Sequence, residues 1–201
     1  YYVTIFRSRK VLKSKYGKDF WESFKKLSRE KLTAILLVMP DIGKSIFSFN
    51  YKFAPAYIAW YKSFLELGLA QQEAWENLWV MNEKMVTIIP KFLLHATGKR
   101  YIGGFRKKAT AHIARQRRNE IHPYDWRISY REISKNTFEV DITECAMKKL
   151  AHDFDADGLS ATAILYEGLH ILTPEVLYRV PASSREAHGM NEQAVRRLYG
   201  Q

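Results

Sequence analysis

Cysteine is almost absent: among 201 residues there is one, Cys145. A single thiol excludes an internal disulfide framework, so a reducing cytoplasm is the expected compartment. Long apolar runs are missing as well. The longest, "LTAILLVMP", stops far short of the about 20 residues a helix needs to span a bilayer. No basic end with an apolar core and a small-residue cleavage site opens the sequence, so no secretory signal is expected, although the first residue is Tyr1 rather than methionine. Ten glycines and six prolines form no linker, repeat or low-complexity tract that would divide the chain. One domain with a sizeable core is expected.

Metal and nucleotide motifs are equally scarce. The histidines, His95, His112, His122, His152, His170 and His188, are scattered, with no H-x-x-x-H or C-x-x-C pair to build a ligand face. No glycine-rich phosphate loop follows a strand, and no G-x-S-x-G elbow exists. "DFDADG", from Asp153 to Gly158, matches the first half of a calcium loop. That loop requires a bidentate glutamate at its twelfth position, where this chain has Ile164, so a solvated acidic turn is expected instead. No metal and no cofactor are implied.

What the chain has in excess is positive charge, +11 in formal terms. One cluster lies in Arg7, Arg9, Lys10, Lys13, Lys15 and Lys18, and a second runs from Lys99 to Arg118. Such clusters attract phosphates, anionic lipids or acidic substrates, or simply solvate a helix face. No helix-turn-helix, RNA-binding signature or zinc-finger spacing accompanies them, so no specific nucleic acid is expected. A small anionic molecule fits the charge better, and a homo-oligomer is left open.

Helical periodicity dominates the first 120 residues. In "DFWESFKKLSREKLTAILL", Phe20, Phe24, Leu27, Leu32 and Ile35 recur near every 3.6 residues, until Pro40 stops the helix. A loop follows, with Gly43 free to adopt a left-handed conformation. "PAYIAWYKSFLELGL" is apolar nearly all round, which predicts a central buried helix capped at Gly68. The next helix carries Trp75, Leu78, Trp79 and Met85 on one stripe up to Pro90. Gly98, Gly103 and Gly104 are then expected to break the chain before a basic helix from about Phe105 to Asn119. "HPYDW" reads as a turn, and "RISYREISKNTFEVDIT" alternates apolar and polar residues on either side of "SKN". Ile128 and Tyr130 share one face with Phe138, Val140 and Ile142, a hairpin that needs helices to pack on. The expected fold is therefore mainly α (α+β), a helical bundle-like single domain with one β-hairpin. Residues 1–120 form the helical part, and 121–201 the hairpin and C-terminal helices.

Cys145 falls where the hairpin runs into the next helix. It is either a nucleophile with His152 as its base or a buried packing residue, and packing is the preferred reading.

Four stretches in order carry a resemblance: "MPDIG" with Asn50 downstream, "YIAWYKSFLELGLAQQEAW", "HPYDW", and "FEVDITECAMKKLAHDFDADGL". Together they resemble the L-2-amino-thiazoline-4-carboxylic acid hydrolase-like family of bacterial proteins, over about Trp21 to Leu159. The family's second cysteine and its aspartate fall on Ala163 and Tyr166, and its C-terminal "CDF" segment is absent. The implied chemistry is addition of water to C2 of a cyclic isothiourea, expelling the ring thiolate to give an N-carbamoyl-cysteine. That needs a base for water, an acid, and a cation for the substrate carboxylate. The resemblance makes Glu144 the base and Cys145 its neighbour, with Asp125 and His122 as further catalytic candidates. Arg118 or Arg127 would clamp the carboxylate, and Trp126 and Tyr61 would contact substrate. Read from the residues alone, Asp125 is a turn cap and Trp126 part of the hairpin core, and those are the preferred readings.

Three readings compete. A buried pocket lined by Glu144, Cys145 and the Trp/Tyr helices would favour a hydrolase. A non-catalytic relative, serving small-molecule binding or protein interaction, would fill that place with apolar side chains. An adaptor for nucleic acid or membrane would join the basic clusters into one face.

Overall fold

A computed structural model describes residues 1–86, 91–134 and 137–159, with side chains except those of Phe49, 85–103 and Thr137. The C-terminal helices expected beyond Leu159, and the positions Ala163, Ile164 and Tyr166, lie outside the described residues, as does Pro90.

Helix α1 spans Tyr2–Val38 and is folded back on itself at Gly17, whose φ of 91° and ψ of 174° no helix accommodates. Without a Cβ, glycine takes this conformation at little steric cost. The two arms then run side by side: Lys13 pairs with Glu22 at 3.7 Å, and the Tyr1 hydroxyl meets Ser28 Oγ at 2.7 Å. Phe24 and Ile35 are buried as the periodicity predicts, with Phe20 and Leu32 packed beside them. The helix stops at Val38, and Met39 is extended (ψ 134°) as the residue before Pro40 must be. Gly43 has φ +61°, and its N–H is held by Asp41 Oδ1 at 2.8 Å.

A short helix α2 (Ser48–Tyr51) leads into α3 (Ala54–Glu66), which is buried nearly all round and packs on α1 and α4 (Gln71–Val86). Gly68 closes α3 with φ +89°, its N–H on Leu65 O and that of Leu69 on Phe64 O. Two other helix ends repeat this geometry without glycine. Asn119 (φ 58°) ends α5 (Lys91–Arg117), and Asp155 (φ 50°) ends α6 (Ala146–Asp153). Asparagine and aspartate tolerate the left-handed region better than other side chains. The expected break at Gly98, Gly103 and Gly104 is not there, because α5 continues through all three. A helical glycine costs only about 1 kcal/mol, which flanking turns offset.

Strands β1 (Arg127–Ser134) and β2 (Thr137–Glu144) pair antiparallel, with Ile128 opposite Ile142 and Tyr130 opposite Val140. This face meets α5, where Phe105 stacks on Phe138 at 5.3 Å. Among the described residues the molecule is thus mainly α with one hairpin on helices, as the period change predicts.

The acidic turn "DFDADG" is the stop of α6. Asp155 supplies the left-handed residue, Asp157 faces His152 at 3.1 Å, and Lys62 Nζ from α3 holds Phe154 O at 2.5 Å. Gly158 is there for space: a Cβ would stand 2.6 Å from the Tyr61 hydroxyl. Tyr61 is buried and cannot swing aside, so Gly158→Ala is expected to cost about 1–3 kcal/mol in denaturant unfolding. The same change combined with Tyr61→Phe should recover part of that loss.

Candidate functional site

"HPYDW" folds as a turn closed by Asp125 N on His122 O at 2.9 Å, with Pro123 at the position where a fixed φ suits it. The turn is clamped from α5. His112 Nε2 lies 2.9 Å from Trp126 O, and because a carbonyl only accepts, Nε2 carries the proton. Gln116 grips Ile128 at both its N–H (2.9 Å) and its carbonyl (3.1 Å). These bonds fix Asp125 and Trp126 against the interior.

Asp125 is fully buried. Its Oδ1 accepts from Ser45 Oγ at 2.5 Å and from Trp126 N at 2.7 Å. Its Oδ2 is buried with no hydrogen-bond partner among the described residues, and so is the Tyr51 hydroxyl. Buried neutral donors such as the Trp75 indole are orphaned too, but a carboxylate oxygen without a donor is the more expensive case. Tyr51 packs edge-on against Trp126 at 6.0 Å and Tyr124 at 6.4 Å. Tyr124 in turn donates its hydroxyl to Asp153. Tyr51, Trp126 and Tyr124 thus form one aromatic group at the turn that carries Asp125.

Burial pushes the Tyr51 phenol up to about 12, helped by the negative charges of Asp153, Asp125 and Asp41. Burial raises Tyr57 and Tyr124 as well. These phenols stay protonated in the folded chain while their unfolded counterparts ionise near pH 10. The stability they contribute is complete below pH 10 and is lost as pH rises from about 10 to about 12 for Tyr51. Thermal melts should therefore drop progressively above pH 10, and Tyr51→Phe should flatten that decline.

The strand end forms a second group. Glu144 is half-exposed, with Oε1 2.9 Å from Arg127 Nε and Oε2 bound by Lys149 Nζ. Lys149 also donates to Pro123 O at 2.9 Å, which ties this group to the turn. Alternation predicts that Glu144 follows Ile142 inward. A register irregularity between Arg127 and Ile128 instead lets Glu144 leave the apolar layer and meet Arg127 directly. A carboxylate at this place calls for a polar pocket or a basic partner, and the structure supplies the partners Arg127 and Lys149. Glu144→Gln is expected to lower stability by roughly 1 kcal/mol, the scale of a partly exposed charge network, measured by urea unfolding.

The remaining candidates fall elsewhere. Cys145, already past the strand, caps α6 in extended conformation and is buried beside Met147 and Leu150. Tyr61 lies in the core under the acidic turn. Arg118 is exposed and engaged by Glu120 through two bonds of 2.7 Å. His122 is exposed, with Nδ1 accepting from Tyr124 N at 3.1 Å. Ser45, Tyr51, Tyr124 and Lys149 belong to the site geometry, yet no periodicity or spacing points to them. Among the described residues no cluster of three or more metal-ligating side chains occurs, and no helix is long and apolar enough to cross a membrane. No protein-family model, curated protein or solved structure matches the chain.

Proposed function

We propose that the protein hydrolyses a small cyclic isothiourea of the L-2-amino-thiazoline-4-carboxylate type, with Asp125 as the reacting carboxylate. The orphaned, buried Oδ2 of Asp125 carries this reading. A carboxylate held by Ser45 and Trp126 through one oxygen leaves the other without a donor, a gap that a cationic amidine-like ring or a water would fill. In the proposed step, water adds to C2 as Asp125 takes its proton, and the C2–S bond breaks. The proton passes on to the departing sulfur, and the remaining O–H proton shifts to the former ring nitrogen as the C=O forms, leaving N-carbamoyl-cysteine and an ionised Asp125. Tyr51 is kept neutral by burial, and its hydroxyl, without a partner among the described residues, is the donor the scheme assigns to the reacting substrate. Arg127 and Lys149, positioned by Glu144, supply positive charge for the substrate carboxylate. Glu144 is a positioning residue in this scheme rather than the base, because Arg127 and Lys149 occupy both its oxygens.

A second reading, a non-catalytic binding or interaction module, rests on a different observation: Cys145 and Tyr61 are packed into the apolar core. Incubating the protein with the thiazoline separates the two. Thiol release, retained in part by Glu144→Gln, supports the hydrolase. Calorimetric binding without thiol release supports the module. Neither binding nor release would dismiss both for this substrate class.

A further inference from the structure

Seven large apolar residues are exposed among the described residues, and six of them lie in the first and last turns of α1. Tyr2, Val3 and Phe6 stand on its first arm, and Leu36, Leu37 and Val38 end its second. The fold-back at Gly17 brings these segments together: Tyr1, Tyr2 and Ile5 line one open groove of about 890 Å³ with Thr33, Ala34 and Leu37. Isolated exposed apolar residues need no explanation, but a cluster drawn from two distant segments does.

Cations adjoin the cluster. Arg7, Arg9 and Lys10 follow it on the first arm, and Lys25, Lys26 and Arg29 line the groove from the second. Glu22 and Glu30 are the acidic side chains there, and Glu22 is already engaged by Lys25 at 2.5 Å and Lys13 at 3.7 Å. An apolar tip with a cationic collar is complementary to a surface with phosphates outside and hydrocarbon beneath. A second copy of this chain is disfavoured at this face, since two collars of like sign would meet in a protein of net charge +11. We propose that the open end of the α1 hairpin docks on the surface of an anionic lipid bilayer. Phe6, Leu37 and their neighbours enter the boundary between headgroups and acyl chains, while Arg7, Lys26 and Arg29 bind lipid phosphates. The contact lies on the membrane, because no described helix is long and apolar enough to cross it.

Co-sedimentation with vesicles tests this. The protein should bind phosphatidylcholine vesicles containing phosphatidylglycerol, bind phosphatidylcholine alone much less, and be released by salt. The Phe6→Ser/Leu37→Ser double variant should bind at least about tenfold less, with an unchanged melting temperature because both side chains are exposed. Arg7→Glu/Lys26→Glu should abolish the preference for anionic vesicles. No binding to anionic vesicles, or equal binding by the apolar double variant, would overturn the proposal. So would a concentration-dependent dimer that the apolar double variant abolishes, since the cluster would then serve a second copy.

Discussion

Replacing Phe64 with alanine is expected to remove about 3–5 kcal/mol of stability, the largest loss from any single truncation proposed for this chain. Phe64 is fully buried on the α3 face that meets α1, stacked on Phe24 at 4.4 Å and facing Phe20 at 6.4 Å. Both partners are rings with only two side-chain torsions, so neither can collapse into the space left behind. The Phe64 carbonyl also accepts the Leu69 N–H in the cap of α3, and alanine preserves that bond. The loss is therefore one of packing and burial. Urea unfolding should show the midpoint falling with an unchanged slope, and the melting temperature should drop by roughly 10 °C. A change below about 1 kcal/mol would mean that the α1–α3 contact is not the centre of the core.

Asp125→Asn is expected to do the opposite: abolish chemistry while sparing the fold. Asparagine keeps an acceptor for Ser45 and Trp126, so the turn's bonds at 2.5 and 2.7 Å persist in weaker, uncharged form. It also removes a buried charge whose second oxygen has no donor. These effects oppose each other, and the net change in stability should stay within about 1 kcal/mol by circular dichroism. Loss of a general base typically lowers a rate by about 100- to 10,000-fold, and that is the loss expected for thiazoline hydrolysis. Asp125→Ala is a harsher control. It removes the acceptor of both the Ser45 O–H and the Trp126 N–H and should destabilise as well as inactivate.

The hairpin and most helices are legible in the sequence because their signals are local. Alternation puts Ile128, Tyr130, Val140 and Ile142 on one face, and the register bears that out. Gly68 announces a left-handed cap, but Asn119 and Asp155 adopt the same geometry with side chains that also fit turns, loops and metal sites. The acidic turn therefore resembles half a calcium loop while serving as a helix stop. Gly17 and the glycines of α5 show the converse. The same residue type folds one helix back on itself and is absorbed without interruption in another, and the deciding factor is tertiary packing.

The candidate site was legible only in part. "HPYDW" marks Asp125 as a turn residue, yet its hydroxyl partner Ser45 lies eighty residues earlier, beyond any local pattern. Direct opposition of Arg127 and Glu144 needs the register irregularity between Arg127 and Ile128. Hairpin pairing alone brings Arg127 to the strand end that carries Glu144, so the neighbourhood of that pair follows from strand pairing. Lys149 does not, because it sits one turn into the next helix and reaches back to Glu144 and Pro123. An unpaired buried oxygen such as Asp125 Oδ2 is invisible to sequence altogether, since it is defined by what surrounds it.

Initial rates of thiol release from L-2-amino-thiazoline-4-carboxylate, wild type beside Asp125→Asn at equal folded fraction, test the central claim most directly. The predicted result is release of thiol and formation of N-carbamoyl-cysteine by the wild type, with the variant reduced at least about 100-fold at a nearly unchanged melting temperature. Equal rates in the two proteins would contradict the account, because the buried oxygen of Asp125 would then take no part in the chemistry.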